Sequence, residues 1–373
     1  MATPAVELPR STAAKKKLVR RTVRDRSQLA RHSVQLFFVL LNAWLGVQFF
    51  LWVRFFERGG VGFEVPRPAG AEGWLPIAGL MNFKAFLTTG HFPTVHPAAM
   101  FLFMAFVAMS LLAKKAFCSW ICPVGTFSEL LARVGKKLFR RNLRMPQWLD
   151  IPLRGFKYLL LGFFVFIIGT MSGAAIEEFM HTPYGLIADV KMLNFFRDMS
   201  MTAAVVIAAL VVLSILVEHF WCRYLCPYGA LMGLVSLMSP LKIRRNASAC
   251  IDCTKCAHAC PASLPVDKLV QIRSVECAAC MACIASCPAE GALQFSLAQG
   301  KVQTLIGPPV ARPDALPLYR RALTPLAMVS LLAILFFGMI LFARTTGHWQ
   351  TRMPTEIYRQ LVPNANLATH PGY

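Results

Sequence analysis

Cys250-Ile251-Asp252-Cys253-Thr254-Lys255-Cys256-Ala257-His258-Ala259-Cys260-Pro261 and Cys277-Ala278-Ala279-Cys280-Met281-Ala282-Cys283-Ile284-Ala285-Ser286-Cys287-Pro288 are two copies of one spacing, Cys-x2-Cys-x2-Cys-x3-Cys-Pro. A tetranuclear iron-sulfur cluster needs four thiolates at the corners of a cube. One tight loop supplies three of them when two residues separate each pair, and the fourth must come from elsewhere. In the two-cluster arrangement the last cysteine of each run serves the other cluster. The expected ligand sets are therefore Cys250, Cys253, Cys256 and Cys287 for one, and Cys277, Cys280, Cys283 and Cys260 for the other. Two 4Fe-4S clusters imply electron transfer.

Zinc sites show two separated cysteine pairs rather than two triplets each closed by Cys-Pro. A disulfide framework needs an oxidising compartment, and the charge distribution below assigns this segment to the cytoplasm. Residues 262–276, between the runs, are long enough for a turn and a short helix, and 289–295 read as the strand that closes a bacterial ferredoxin-like α+β domain.

Around this module the chain is apolar: 56% of its 373 residues are hydrophobic and 15% charged, with a mean hydropathy of +0.52. That composition predicts an α-helical membrane protein. Five stretches, 33–53, 97–113, 158–176, 199–217 and 322–343, are apolar enough to read as transmembrane helices. Residues 74–89 are also apolar, but Pro76, Gly79, Asn82 and Lys84 interrupt them, so they read as an interfacial or re-entrant segment.

A net charge of +21 raises the question of nucleic acid, and the location of the charges answers it. Lysine and arginine number 9 before the first span, then 4, 10, 2, 11 and 3 in the successive loops and the tail, 30 against 9 when alternate segments are grouped. This is the positive-inside pattern of a five-span protein in the bacterial inner membrane. It predicts a basic cytoplasmic segment at 1–32, a four-span domain at 33–241, a cytoplasmic two-cluster domain at 242–300, a linker at 301–321, a fifth span at 322–343 and a periplasmic tail at 344–373. The basic run from Lys15 to Arg21 is a topology signal and a contact for anionic membrane lipid. No nucleic-acid partner is expected, and no small-residue cleavage site marks a signal peptide.

The other four cysteines belong to an internal repeat, Phe117-Cys118-Ser119-Trp120-Ile121-Cys122-Pro123 and Trp221-Cys222-Arg223-Tyr224-Leu225-Cys226-Pro227, with a period of 104 residues. Each copy follows an even-numbered span and precedes an amphipathic stretch, 126–139 or 230–241. On a helix the two cysteines of a copy share a face, and a pseudo-dyad would bring Cys118, Cys122, Cys222 and Cys226 together. Four sulfurs suit zinc, iron or a further cluster and disfavour magnesium or calcium. Buried reduced thiols packing a helix end are the alternative.

His219, one turn before Cys222, is a candidate extra metal or haem ligand, though a histidine at a span end is commonly interfacial. His91, His96 and His181 accompany Glu64, Glu177 and Glu178 in or beside the outer loops, where a quinol site would need a proton acceptor. The sequence holds no glycine-rich nucleotide fingerprint and no Cys-x-x-Cys-His, so neither flavin nor c-type haem is predicted.

With two membrane-exit Cys-x3-Cys-Pro motifs ahead of two ferredoxin runs, the chain resembles the NapH/NosR/CcoG group of membrane polyferredoxins over about residues 33–294, and most closely its NapH-like members. NosR-type members add an N-terminal flavin-binding domain and CcoG-type members a C-terminal immunoglobulin-like domain, and neither is expected from this chain's termini. The span after the ferredoxin domain departs from a simple four-span NapH. The resemblance implies electron passage between the quinone pool and a partner redox protein in a membrane complex. It also leaves two other readings open, a copper-reducing or metal-handling factor in cuproenzyme maturation and an iron-sulfur redox-sensing regulator.

Overall fold

The computed structural model describes residues 19–22, 25–140, 142–143, 145–297 and 322–370. The basic run at 15–18, the linker at 301–321, the last three residues of the expected ferredoxin-like domain and the last three of the tail lie outside the described residues. The chain is helical and divides into two compact units. One comprises the described parts of 1–35, 109–126 and 229–332, and the other those of 36–108, 127–228 and 333–373.

Among the described residues three helices are long and apolar enough to cross a membrane, Ser27–Glu57, Trp148–Thr170 and Pro325–Thr345. A fourth candidate is the pair Ala188–Arg197 and Met201–Leu216, bent by 81° at a short break. Their outward faces carry Leu36, Leu40, Trp44, Leu159, Phe163, Leu326 and Ile334 exposed, the surface of a helix whose surroundings are apolar. The stretch expected at 97–113 is the helix Pro97–Ala113, 17 residues long. At 1.5 Å per residue it reaches about 26 Å, short of a full hydrocarbon core.

The boundaries of the other spans shift for local reasons. The helix expected at 158–176 begins at Gln147 and ends at Thr170. Met171 turns extended there, and the Ser172 hydroxyl caps a separate helix, Gly173–Met180, by accepting from the Ala175 amide. Ser200 similarly starts the helix Met201–Leu216 by accepting from Ala203. Of the expected 74–89, Trp74 ends a 3-10 turn, Ala69–Trp74, and Pro76–Thr89 is a helix, with proline in its first turn and Gly90 in the left-handed region at its end.

In the first unit, strand β1 (Leu241–Arg245) pairs antiparallel with β2 (Leu293–Leu297), Leu241 opposite Leu297 and Ile243 opposite Phe295. The stretch expected at 230–241 thus ends early. Its helix runs Pro227–Val235, followed by a 3-10 turn, and Leu241 belongs to the sheet. Residues 262–276 form turns rather than the expected helix, with Gln271 bridging to Arg244. The N-terminal segment adds an isolated bridge, Arg20 to Ala289, in which the Arg21 amide donates to Pro288 and the Glu290 amide to Val19, both at 3.0 Å.

In the second unit, Trp52, Phe56 and Tyr358 anchor one apolar cluster with Val53, Ile187, Val190 and Val362. The Trp52 ring meets Phe56 at 5.0 Å and Tyr358 at 4.9 Å between centroids. Each such edge-on pair contributes about 0.5–1.5 kcal/mol beyond its buried area.

Candidate iron-sulfur sites and the Cys-x3-Cys-Pro segments

All twelve cysteines are described, and none forms a disulfide. Cys250, Cys253, Cys256 and Cys287 line one pocket, together with Thr254, Asp267 and Ala292. Two separated stretches of chain contribute to it. Burial pushes the Cys256 thiol up to about 11, and the neighbouring Cys250 and Cys287 sulfurs add to the shift. Cys287 is raised by burial and then by Cys253 and Cys250.

The other set behaves alike. Burial raises Cys283 well above the ordinary thiol value, and Cys280, Cys277 and Cys260 raise it further. Thiolates crowded in this way repel one another, and coordination to a cationic centre removes the conflict. Among the described residues no three His, Cys, Asp or Glu side chains converge closely enough to grip a single metal ion. Sulfurs spread around a cavity fit a polynuclear cluster better than a mononuclear site.

Short helices set the backbone of each run. Lys255–His258 and Ala282–Ala285 follow Thr254 at φ 60° and Met281 at φ 57°, so equivalent positions of the two runs turn through the left-handed region. Cys256 and Cys283 are buried, while Cys253 is exposed.

The first Cys-x3-Cys-Pro segment sits on the second run, within one unit. The Trp120 indole, fully buried, donates from Nε1 to the Ala279 carbonyl at 3.1 Å. The Ser119 hydroxyl donates to the Ala278 carbonyl at 2.5 Å, and the Gln28 amide donates to the Cys280 carbonyl at 2.9 Å. Lys115 pairs with Glu276 at 3.6 Å. Three consecutive carbonyls of the Cys277–Cys280 loop are thereby held by side chains from outside it.

In the second unit, Asp150 anchors the other copy. Its Oδ1 accepts from Arg223 Nε at 3.0 Å and from the Tyr224 hydroxyl at 2.6 Å. Its Oδ2 accepts from Arg223 Nη2 at 2.9 Å and from Arg154. In both copies the two residues after the first cysteine fasten the segment.

The expectation of one helical face through each cysteine pair is corrected. The first helix, Ala116–Trp120, ends before Cys122, and the second, a π-helical turn over Trp221–Leu225, ends before Cys226. Proline at the next position starts a new helix in each case. Both copies close through a wide turn, the Cys122 amide donating to Phe117 and the Cys226 amide to Trp221, each at 2.9 Å. Gly125 follows because a Cβ there would stand 2.1 Å from the Cys118 carbonyl oxygen. Cys118 and Cys122 lie in the first unit, and Cys222 and Cys226 in the second.

Of the residues expected in or beside the outer loops, His91, His181, Glu64, Glu177 and Glu178 are exposed, and His181 Nδ1 donates to the Glu177 carbonyl at 2.8 Å. His96 alone of this group is fully buried. Its Nε2 donates to the Gly185 carbonyl at 2.9 Å, and its Nδ1 is 3.5 Å from Glu72. Arg67 pairs with Glu72 at 2.8 Å and Asp189 at 2.6 Å, and the Thr351 hydroxyl donates to Glu72 at 2.8 Å. Burial alone would raise Glu72, but Arg67, then His96 and Thr351, outweigh it and hold the carboxylate at about 2. Burial would lower His96, but Glu72 and Asp189 raise it overall. Members of this network lie 122 and 279 residues apart, so of them only His96 stood out in the sequence. His219, at φ 57°, passes its carbonyl to the Arg223 amide at 2.8 Å.

Comparison with known proteins agrees with this layout. The family described as 4Fe-4S binding domain matches residues 95–146 and again 199–246, and a 4Fe-4S dicluster domain matches 242–301. YccM of Escherichia coli K12, whose name assigns it provisionally to electron transport, is 50% identical over 340 residues, 91% of each chain. The ferredoxin-type protein NapH of the same organism is 29% identical over 56% of this chain and 70% of its own. The regulatory protein NosR of Pseudomonas aeruginosa is 30% identical over 43% of this chain and 22% of its own length. No solved structure matches.

Proposed function

The chain belongs to the NapH/NosR type of membrane polyferredoxins, and from that premise we propose that it relays electrons between the quinone pool and a partner redox protein. When bound, a four-iron cluster supplies reversible one-electron storage. Cys250, Cys253, Cys256 and Cys287 hold one and Cys277, Cys280, Cys283 and Cys260 the other. The observation that carries this reading is the cavity lined by three sulfurs of the first run and the last sulfur of the second.

Cys118, Cys122, Cys222 and Cys226 hold a further redox centre in this proposal, with Ser119 and Trp120 fastening its first half to the second run. The twofold match to one 4Fe-4S family and the matching wide turns at Cys122 and Cys226 support a pseudo-repeat. The lysine and arginine distribution supports five spans with Pro97–Ala113 as the second, the N-terminus and ferredoxin-like module cytoplasmic, and an inner-membrane location. Quinol would meet the spans on the opposite side, and lipid surrounds them.

Iron, acid-labile sulfide, zinc and copper per chain, measured on anaerobically purified protein, test the assignment. About twelve irons, falling to about eight in a Cys122→Ser, Cys226→Ser double variant, are expected from three four-iron centres. About eight in both would remove the third centre. Fewer than about eight in the wild-type chain would overturn the ligand sets.

The regulatory name of the NosR relative favours a second reading, a redox sensor acting on a partner. That protein would carry the clusters but show no steady electron flux from a quinol analogue. A copper-handling role, suited to the soft thiols of the Cys-x3-Cys-Pro segments, predicts copper retention that survives loss of the ferredoxin cysteines.

A further inference from the structure

The two faces of β1 differ sharply. Leu241, Ile243 and Arg245 are buried on one side, while Lys242 and Arg244 lie on the other, opposite Ser296 and Gln294 of β2. That second face carries two cations, and its cross-strand partners are neutral. Arg273 adds a third. Burial lowers both Lys242 and Arg244, and the nearby Arg273 charge lowers each of them further.

Lys114 is the fourth. Its buried side chain reaches the Arg273 and Ser274 carbonyls at 3.3 and 3.4 Å. Burial, together with Lys242 and Lys115, holds its ammonium down to about 8 against the opposing pull of Cys277. The adjoining carboxylate, Glu276, is taken by Lys115.

Arg244 exposes the imbalance. Its Nε and Nη2 are buried and have no hydrogen-bond partner among the described residues. A buried charged donor left unpaired is costly, more so beside like charges. Those two nitrogens form one edge of the guanidinium fork, the edge that takes two oxygens of an oxyanion side by side. A phosphate group presents several such oxygens and enough charge to serve the neighbouring cations as well.

We propose that Arg244, Lys242, Arg273 and Lys114 form a binding site for a phosphate group, free or carried on a lipid headgroup. The site is independent of the electron-transfer reading. It explains why a strand of the iron-sulfur module bears two adjacent outward cations with no acid across the register.

The test uses the full chain in a maltoside detergent, whose headgroup carries no phosphate, under anaerobic conditions, followed by thermal unfolding, with iron per chain as the folding control. Sodium phosphate is compared with sodium chloride at equal ionic strength, and a second set of micelles contains phosphatidylglycerol. An upward shift of the unfolding midpoint with phosphate identifies free phosphate as sufficient; a shift with phosphatidylglycerol alone assigns the site to a headgroup. In either case the shift disappears in Arg244→Met, and phosphate affinity falls about tenfold in Arg273→Gln, the loss of one charged hydrogen bond. Without phosphate or phosphatidylglycerol, Arg244→Met unfolds no earlier than wild type, because it loses only an unpaired charge. Equal effects of phosphate and chloride with no response to phosphatidylglycerol, or an undiminished shift in both variants, would overturn the proposal.

Discussion

The Trp120 indole nitrogen donates to the Ala279 carbonyl at 3.1 Å, which ties the residue midway between Cys118 and Cys122 to the residue just before Cys280. A segment that the sequence places at the end of a membrane helix thus fixes the backbone of an iron-sulfur loop.

Trp120→Phe keeps the buried ring contact and removes the donor. The expected loss is about 0.5–1.5 kcal/mol of stability. Because the loop it releases carries Cys277 and Cys280 but not Cys250 or Cys253, one of two reduced-state EPR signals should broaden and the other stay sharp. Equal broadening of both would contradict the seating described above.

Asp150→Asn should act at the other copy. Arg223 loses its paired carboxylate, and the variant should be about 2 kcal/mol less stable, the value of a charge-assisted hydrogen bond. In metal-free protein, maleimide labelling of Cys222 and Cys226 should accelerate, while that of Cys118 and Cys122 stays unchanged.

Gly125→Ala places a methyl group against the Cys118 carbonyl, at 2.1 Å before any relaxation. The helix Pro123–Phe139 must then move away from the first cysteine. Loss of the Cys118–Cys122 geometry, read as loss of metal in excess of that held by the ferredoxin runs, is the expected outcome. Wild-type metal content in a folded Gly125→Ala protein would show that the close approach is dispensable.

The Glu72 network gives a pH dependence with a definite sign. The folded carboxylate titrates near 2, below its ordinary 4.5, so its stabilisation is complete above about 4.5 and is lost as the pH falls toward 2. His96 is raised above its ordinary 6.5, so its contribution is present below 6.5 and is lost as the pH rises through the folded value. The stability gap between wild type and Glu72→Gln should therefore narrow steadily on acidification below pH 4.5. A gap that widens on acidification would reverse the assignment of charge.

The two cysteine runs were legible because cluster ligation is a local pattern, three sulfurs within seven residues. The closing strand was legible in part: of the expected 289–295, residues 293–295 belong to the strand Leu293–Leu297, with Leu293 and Phe295 buried. Residues 262–276 misled, since Pro265 and the bridge from Gln271 to Arg244 hold them in turns. The helix through each Cys-x3-Cys-Pro pair also misled: it stops at Trp120 in the first copy and at Leu225 in the second, ahead of the proline-led helix that follows. Nothing local announced Arg67, Glu72, His96 and Asp189 as partners; only the fold unites them. Arg223 and Tyr224 left a faint trace, a charged and a hydroxylated residue held between two thiols.

Lys84, one of the residues that made 74–89 a poor span, donates its ammonium to the carbonyls of Ile168, Gly169 and Met171. It serves the end of the Gln147–Thr170 helix, where a cation meets both the unpaired carbonyls and the negative pole. Leucine there would raise local hydropathy and strip that end of its donor at once. The insertion machinery would gain a reason to thread the segment through the bilayer while the finished protein lost a reason to keep it in place. One charged side chain thus lowers the hydropathy of its own segment and fastens the end of another helix.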